Sequence, residues 1–181
     1  LINMILDSNY LRSTKGITLV ETVVYVGLLG FFSVFIASAL LYLATLYQRA
    51  GAEREVLSNA RLIMETVGKE IASAEEIYAP TSAFNTDSGQ LSLVTTLGAP
   101  AQHPSRFIDF WIDNGLFFVR AEGSGEKMLS AASVRVRRFH LERIAQGLDR
   151  EAIRVLLHIE YGNARFNAST TLQSAFALRG N

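Results

Sequence analysis

The hydrophobic and polar positions divide the chain into an uncharged apolar run, an amphipathic segment and a series of short alternating segments. The apolar run covers residues 22–48, which contain no charged side chain over 27 positions. At about 1.5 Å of rise per residue, a helix of this length exceeds the ~30 Å hydrocarbon thickness of a bilayer. The run therefore predicts a membrane-spanning helix, and a buried helix of a soluble protein is the disfavoured alternative.

The amphipathic segment starts after Arg49, where apolar residues recur at spacings of three and four. This spacing predicts one apolar helix face, formed by Leu57, Ala60, Met64, Val67, Ile71, Ala74 and Tyr78. Because no breaker separates this segment from the apolar run, we expect one helix from Ile17 to about Tyr78, ending before Pro80. Packing of residues 49–78 against the protein's own head is favoured over a coiled coil, since only about three heptads are present.

From residue 79 onward the pattern has a period of two, which is typical of strands. The clearest unit is a hairpin of residues 107–113 and 116–120, because Asn114-Gly115 between them favours a type I′ turn. Further strands are expected at 90–95, 133–144, 153–161 and 170–178, with loops at 82–89 and 98–105. The predicted fold class is therefore α+β: one long helix whose second half packs against a mostly antiparallel sheet formed by residues 79–181.

Charge and cysteine content add little to this picture. Lys plus Arg and Asp plus Glu both number 17, so no overall field attracts nucleic acid or anionic lipid. The cysteine count is zero, which excludes disulfides and cysteine-ligated metals. The three histidines lack zinc-site spacing and no catalytic motif is present, so we expect no metal, no cofactor and no enzyme; they are His103, His140 and His158.

One basic cluster in the predicted head could contact a polyanion. Arg135, Arg137 and Arg138 lie in one expected strand, and strand alternation would put Arg135 and Arg137 on the same face. Clustered exposed arginines can bind phosphate, which makes a DNA contact one hypothesis. A solvated strand face near acidic side chains is the favoured interpretation.

The start of the apolar run carries an isolated acid, Glu21. Arg12 and Lys15 precede the run and no further Lys or Arg occurs before Arg49. This distribution places the N-terminus in the cytoplasm and the head across the membrane. A carboxylate facing lipid costs about 2.5 kcal/mol or more, so Glu21 should have a partner or a function.

Residues 15–21 (KGITLVE), followed by the long uncharged run, resemble the leader and N-terminal segment of type IV pilins and type II secretion pseudopilins. The resemblance implies a pilin-like fold, residues 1–16 as a leader that prepilin peptidase removes after Gly16, and N-methylation of the new N-terminus, Ile17. It also implies that Glu21 meets the amine of a neighbouring subunit and sets the assembly register. Residues 17–48 would then form the membrane and assembly half of the helix.

The resemblance further implies partners and a location. The partners would be other pilin or pseudopilin subunits, prepilin peptidase, the inner-membrane assembly platform and the lipid bilayer. The protein would be a single-pass inner-membrane protein with an extracytoplasmic head, and would join a filament after processing. Residues 59–74 and 176–181 are similar to minor components of the pilin W and pseudopilin J kind.

Several alternatives stay open at this stage. The sequence does not distinguish a pilus from a secretion pseudopilus or a competence system. Because the chain begins at Leu1, translation is expected to start at Met4 or at an alternative start codon. The rival to a filament subunit is an unprocessed, single-pass receptor or binding protein that uses its head to capture a ligand.

Overall fold

The structure is a computed structural model and describes residues 16–96, 98–99, 105–146, 150–163 and 167–179. Most of the predicted leader, residues 1–15, and most of the predicted 98–105 loop lie outside these residues. The described chain forms one helix followed by strands in two antiparallel sheets, which confirms the α+β class. The elements are α1 (Leu19–Ser73), β1 (Ala74–Ile77), β2 (Leu91–Thr95), β3 (Arg106–Asp113), β4 (Leu116–Ala121), β5 (Lys127–Met128), β6 (Val134–Gln146), β7 (Arg150–Tyr161) and β8 (Ser169–Ala177).

The chain divides into two compact units, Leu1–Thr45 and Leu46–Asn181. In the first unit, every described residue from 16 to 45 is exposed, including large apolar side chains such as Leu19, at 81%. The first half of α1 is long and apolar enough to cross a membrane. A helix that is apolar on all sides and packs against nothing in its own unit is suited to lipid.

In the second unit, one face of α1 is buried and the opposite face is exposed. The predicted face is confirmed at Ala60, Met64, Val67 and Ile71. The predicted Leu57 is only half-buried, because the buried face also includes Ala52, Val56 and Ile63. The apolar face of the helix after Arg49 therefore packs within its own unit, as the sequence predicts.

The predicted end of α1 near Tyr78 is wrong, since the helix stops at Ser73 and β1 follows at once. Ala74 and Ile77 are buried in this strand, whereas the two glutamates between them are exposed. Pairing of β1 with β2 supplies backbone hydrogen bonds that replace those of another helical turn. A spacing of three between apolar residues fits a helix and this short bulged strand equally well, so the sequence did not separate them.

The head contains two meanders instead of the single predicted sheet. The first sheet has the order β1-β2-β3-β4-β5 and the second has the order β6-β7-β8. The predicted hairpin is confirmed: Asp113 pairs with Leu116, and Asn114 and Gly115 have φ angles of 49° and 75°. Positive φ at both turn residues is what a type I′ turn requires.

A β-bulge between Val136 and Arg138 resets the alternation of β6. Val134 and Val136 are buried before the bulge, and Phe139 and Leu141 are buried after it. One extra residue changes the buried positions from even to odd numbers, so a long strand keeps its apolar residues in the core.

The core lies between the second half of α1 and the two sheets. Its largest buried side chains include Phe110, Phe117 and Phe139, and the rings of Phe117 and Phe139 meet edge to face at 4.9 Å. A polar contact fixes the helix to the loop before β6: the backbone N–H of Ala131 donates to Asn59 Oδ1 at 2.8 Å. Because this contact lies beside the core, it holds the helix in a defined register against the head.

We predict opposite effects for the same substitution at two helical glycines. A Cβ at Gly68 would overlap the ring of Phe176, whereas a Cβ at Gly51 would meet no atom of the described chain within 4 Å. Gly68→Ala should lower the free energy of unfolding by about 1–3 kcal/mol. Gly51→Ala should leave it unchanged or raise it by up to about 1 kcal/mol.

Urea unfolding of the full chain in detergent, followed by the fluorescence of Trp111, measures both effects, since Trp111 is the one tryptophan. If the two alanine variants unfold at the same urea concentration, the close packing of Phe176 on α1 is wrong.

Candidate functional site

The residues that the sequence singles out near the N-terminus lie at the first turn of α1. Gly16, Ile17 and Thr18 precede the helix and are exposed, and the helix begins at Leu19. The hydroxyl of Thr18 accepts a hydrogen bond from the backbone N–H of Glu21 at 3.2 Å. Thr18 is therefore the N-cap, and it satisfies one of the free N–H groups that every helix start presents.

Glu21 occupies the third helical position and faces the positive end of the helix dipole. Its Oε1 atom accepts a hydrogen bond from the hydroxyl of Tyr25 at 3.2 Å, one turn further along. The hydroxyl is neutral, so the charge of Glu21 is hydrogen-bonded but not neutralised by it. No ion pair of Glu21 is present among the described residues.

The surroundings of Glu21 make this charge expensive in a membrane. No other charged residue occurs from Gly16 to Gln48. The neighbouring side chains are apolar and exposed, with Val20 at 70% and Val24 at 53%. Among the described residues, the only side-chain partner of this carboxylate is a hydroxyl, so its removal from water carries a large desolvation penalty and an additional cation is favoured.

The conformation of the described chain gives no reason for a glycine at position 16. A Cβ there would lie more than 4 Å from any described atom outside its chain neighbours. A side chain at position 16 would therefore fit the described chain without a clash.

Two residues of this site were not selected from the sequence, Thr18 and Tyr25. The signal for Thr18 was available, because Thr-x-x-Glu before an apolar run is the pattern of a helix capping box. The signal for Tyr25 was its spacing of four from Glu21, which puts both side chains on one helix face. Thr18 and Tyr25 complete the candidate site, whose other residues are Gly16, Ile17 and Glu21.

The basic cluster of the head is at least partly neutralised within the chain. Arg137 forms an ion pair with Glu160 at 2.5 Å, and Arg138 forms one with Asp87 at 3.1 Å. The hydrogen bond from Arg137 to Glu160 raises the pKa of the guanidinium above its usual value. Arg135 instead donates to the carbonyl oxygens of Ala132 and Val134.

The three arginines do not form one common surface feature. A depression of about 310 Å³ is lined by Arg137 and Arg138 but not by Arg135; its other lining residues are Asp87, Leu156, His158 and Thr171. An acidic side chain therefore already lies where a phosphate would bind. This arrangement agrees with the interpretation of a solvated strand face.

The histidines have separate environments. His140 Nδ1 lies 3.8 Å from an oxygen of Asp87, and His158 Nδ1 lies 2.8 Å from the hydroxyl of Thr171. His103 lies outside the described residues. In the part of the chain that the structure describes, no three His, Asp or Glu side chains group together as a possible metal site.

No protein-family model, curated protein or solved structure matches this chain.

We predict that the full chain does not bind DNA in about 0.15 M salt, where charge interactions are screened beyond roughly 8 Å. The guanidinium groups of Arg137 and Arg138 are already paired, so phosphate would have to displace carboxylates. Glu160→Gln frees Arg137 and should increase retention on a DNA column at low salt. Retention of the unaltered chain that Arg137→Ala and Arg138→Ala together abolish would contradict this prediction.

Proposed function

We propose that this chain is the precursor of a minor type IV pilin-like subunit, of a pilus or of a type II secretion pseudopilus. Prepilin peptidase hydrolyses the bond between Gly16 and Ile17, and the product is held in the inner membrane by the first half of α1. The subunit then joins a filament through helix contacts with other subunits. The head stays outside the cytoplasm.

The observation that carries this proposal is the charge of Glu21 at the start of a helix whose first half contains no other charged residue. Hydrolysis after Gly16 would create an ammonium group at Ile17, and a neighbouring copy of that group is a cation of the right sign at the same membrane depth. Pairing of a carboxylate with an ammonium removed from water is strongly favoured over leaving either one alone. Such a pair between subunits would also set their axial register.

Two further features support processing at this position. Gly16 and Ile17 are exposed and lie outside the helix, so a peptidase can reach the bond between them without unwinding α1. Thr18 caps the helix from within the product. Removal of residues 1–16 would therefore leave the cap and the first turn intact.

An unprocessed, anchored receptor or binding protein is the second candidate, and one observation favours it. The helix N-terminus and the Tyr25 hydroxyl already provide Glu21 with two favourable interactions inside one chain. These interactions could hold the carboxylate at the membrane surface without any neighbour. The two candidates differ in whether residues 1–16 are removed and in whether the charge of Glu21, beyond its hydrogen bond, is needed.

We predict that Gly16→Ala blocks removal of residues 1–16. The added methyl group would enter space in the peptidase that a glycine leaves free. We expect cleavage to slow by about tenfold or more, because a loss of ~1.4 kcal/mol of transition-state stabilisation lowers the rate tenfold. Intact-mass measurement of the membrane-extracted protein, from a host that carries prepilin peptidase, reports the cleaved fraction. Gly27→Ala is the matched control, because its Cβ would also meet no described atom. Cleavage of Gly16→Ala at the normal rate would argue against this processing site.

We predict that Glu21→Gln is processed normally but enters filaments at least roughly 100-fold less than the unaltered chain, since each 1.4 kcal/mol is about tenfold. The substitution keeps the shape of the side chain and removes its charge, which leaves the neighbouring ammonium unpaired at a cost of about 3–5 kcal/mol. Tyr25→Phe is the control, because it removes only the hydroxyl that donates to Glu21. The measurement is the amount of tagged subunit in sheared, sedimented filaments.

If Tyr25→Phe and Glu21→Gln reduce incorporation equally, the local hydrogen bond and not the charge is what matters. If neither has an effect, the register role of Glu21 is wrong.

A further inference from the structure

Three of the four edges of the two sheets carry features that prevent pairing with another strand. β5, at one edge of the first sheet, has only 2 residues and includes Lys127. β1, at the other edge, has 4 residues, with Glu75 and Glu76 exposed and a bulge in its register. Short length, charge and bulges are the usual means by which proteins protect sheet edges.

The outer edge of β6 is covered by other parts of the chain. The backbone N–H of Phe139 donates to the carbonyl of Asp87 at 2.9 Å, and the carbonyl of Phe139 accepts from the N–H of Gly89 at 2.8 Å. The N–H of Val136 donates to the carbonyl of Gly115 at 2.8 Å. β6 also contains the bulge and four arginines.

The outer edge of β8 has none of these protections within the described residues. The strand is 9 residues long and contains no charged residue, proline or glycine. It pairs with β7 without a break in register, from Ser169 opposite Glu160 to Ala177 opposite Ala152. A long, regular and uncharged edge is a template for another strand.

The directions of the backbone groups of β8 follow from the hydrogen bonds at its two ends. The N–H of Leu178 donates to Glu151, and the carbonyl of Ala168 accepts from Tyr161. In an antiparallel pair such bonded positions alternate, so the even-numbered residues of β8 bond to β7. The odd-numbered residues direct their N–H and C=O groups away from β7; they are Ser169, Thr171, Gln173, Ala175 and Ala177.

One bond at the end of the strand agrees with this assignment. The N–H of Arg179, the next odd-numbered residue, donates to the carbonyl of Ala74 in β1 at 3.2 Å. The outer edge is thus occupied at Arg179, and among the described residues no backbone bond reaches it between Ser169 and Ala177. The open part of the edge is limited to β8 itself.

We propose that the outer edge of β8 binds the same edge of a second copy of this chain, in antiparallel orientation about Gln173. The five residues whose backbone groups point away from β7 are centred on Gln173. A two-fold axis at Gln173 therefore places each of them opposite one of the same five residues in the second copy. Ser169 would then face Ala177 of the second copy, and Thr171 would face Ala175. The result is a continuous sheet of two three-stranded halves.

The side chains of β8 suit this self-pairing. The odd-numbered side chains are exposed and are small or uncharged, so no like charges meet across the axis. The two Gln173 amides would lie opposite each other, and each amide offers both a donor and an acceptor. Antiparallel pairing of the five residues gives about ten backbone hydrogen bonds. Only an extended backbone can satisfy this row of groups, and a second β8 supplies one of matching length and composition.

This pairing concerns the head alone and does not depend on the proposed function. The two-fold axis is perpendicular to the sheet, so the second half of α1, which contacts β8 through Gly68 and Phe176, runs in opposite directions in the two copies. The pairing therefore joins two heads that face each other and is not the packing of neighbouring subunits within one filament. A processed filament subunit and an unprocessed receptor contain the same β8 edge. The test below therefore gives the same result whether or not residues 1–16 are removed.

Single-cysteine cross-linking of the full chain in detergent tests the pairing, since the native chain has no cysteine. With Gln173→Cys, the two Cα atoms would be about 5.5 Å apart, within the range that a disulfide spans. Oxidation should give a disulfide-linked dimer. Ala175→Cys is the matched control, because its two copies would be separated by about four residues, or roughly 14 Å, and should not link.

Mixing Thr171→Cys with Ala175→Cys chains should restore a dimer, because these residues face each other across the axis. A third variant, Gln173→Cys with Ala175→Pro, removes one outward N–H and leaves the bonds to β7 in place. We expect at least a tenfold loss of cross-linking, with unchanged Trp111 fluorescence showing that the head is folded.

Equal cross-linking of Gln173→Cys and Ala175→Cys would indicate random collision and overturn the proposal. A Gln173→Cys chain that stays monomeric, or that links to a different polypeptide, would overturn it as well.

Discussion

A carboxylate at the start of a helix whose first half contains no other charged residue is the constraint on which the account of this protein depends. Glu21 is hydrogen-bonded to Tyr25 and lies at the positive end of α1, but neither interaction removes its charge. In water the charge of Glu21 would have little consequence, whereas at a membrane boundary the desolvation of an uncompensated charge is costly. A cation from outside the described chain would resolve the conflict, and the proposed processing after Gly16 would create one at Ile17.

The same helix has different surroundings in the two units of the chain. Up to Thr45 it is apolar on every side and buries none of its described residues, so its stability in water would be poor without lipid or partner helices. After Arg49 only one face is apolar, and that face completes the core of the head. A segment that is long and apolar enough to cross a membrane and a structural core element are therefore encoded in one continuous helix by a change in the distribution of charge.

The sequence predicted those features that depend on local patterns. The membrane-length run and the Asn114-Gly115 hairpin follow from composition and turn chemistry, and most strands follow from alternation. The end of α1 was missed because the choice between helix and strand at Ala74 depends on pairing with β2, which is distant in sequence. The division into two sheets was missed for the same reason. At the site, the partners of Glu21 were visible as spacings, but the sequence did not show which hydroxyl it binds.

The most direct test of the account is zero-length cross-linking of the assembled protein with a carbodiimide, which joins a carboxylate to an amine only where the two are in contact. Chains with and without an isotope label are mixed, so that a link between two molecules is recognised by mass. The account predicts an amide between Glu21 of one subunit and the α-amine of Ile17 of a neighbour. Assembled protein in which Glu21 links to no amine, while exposed carboxylates of the head do react, would contradict it.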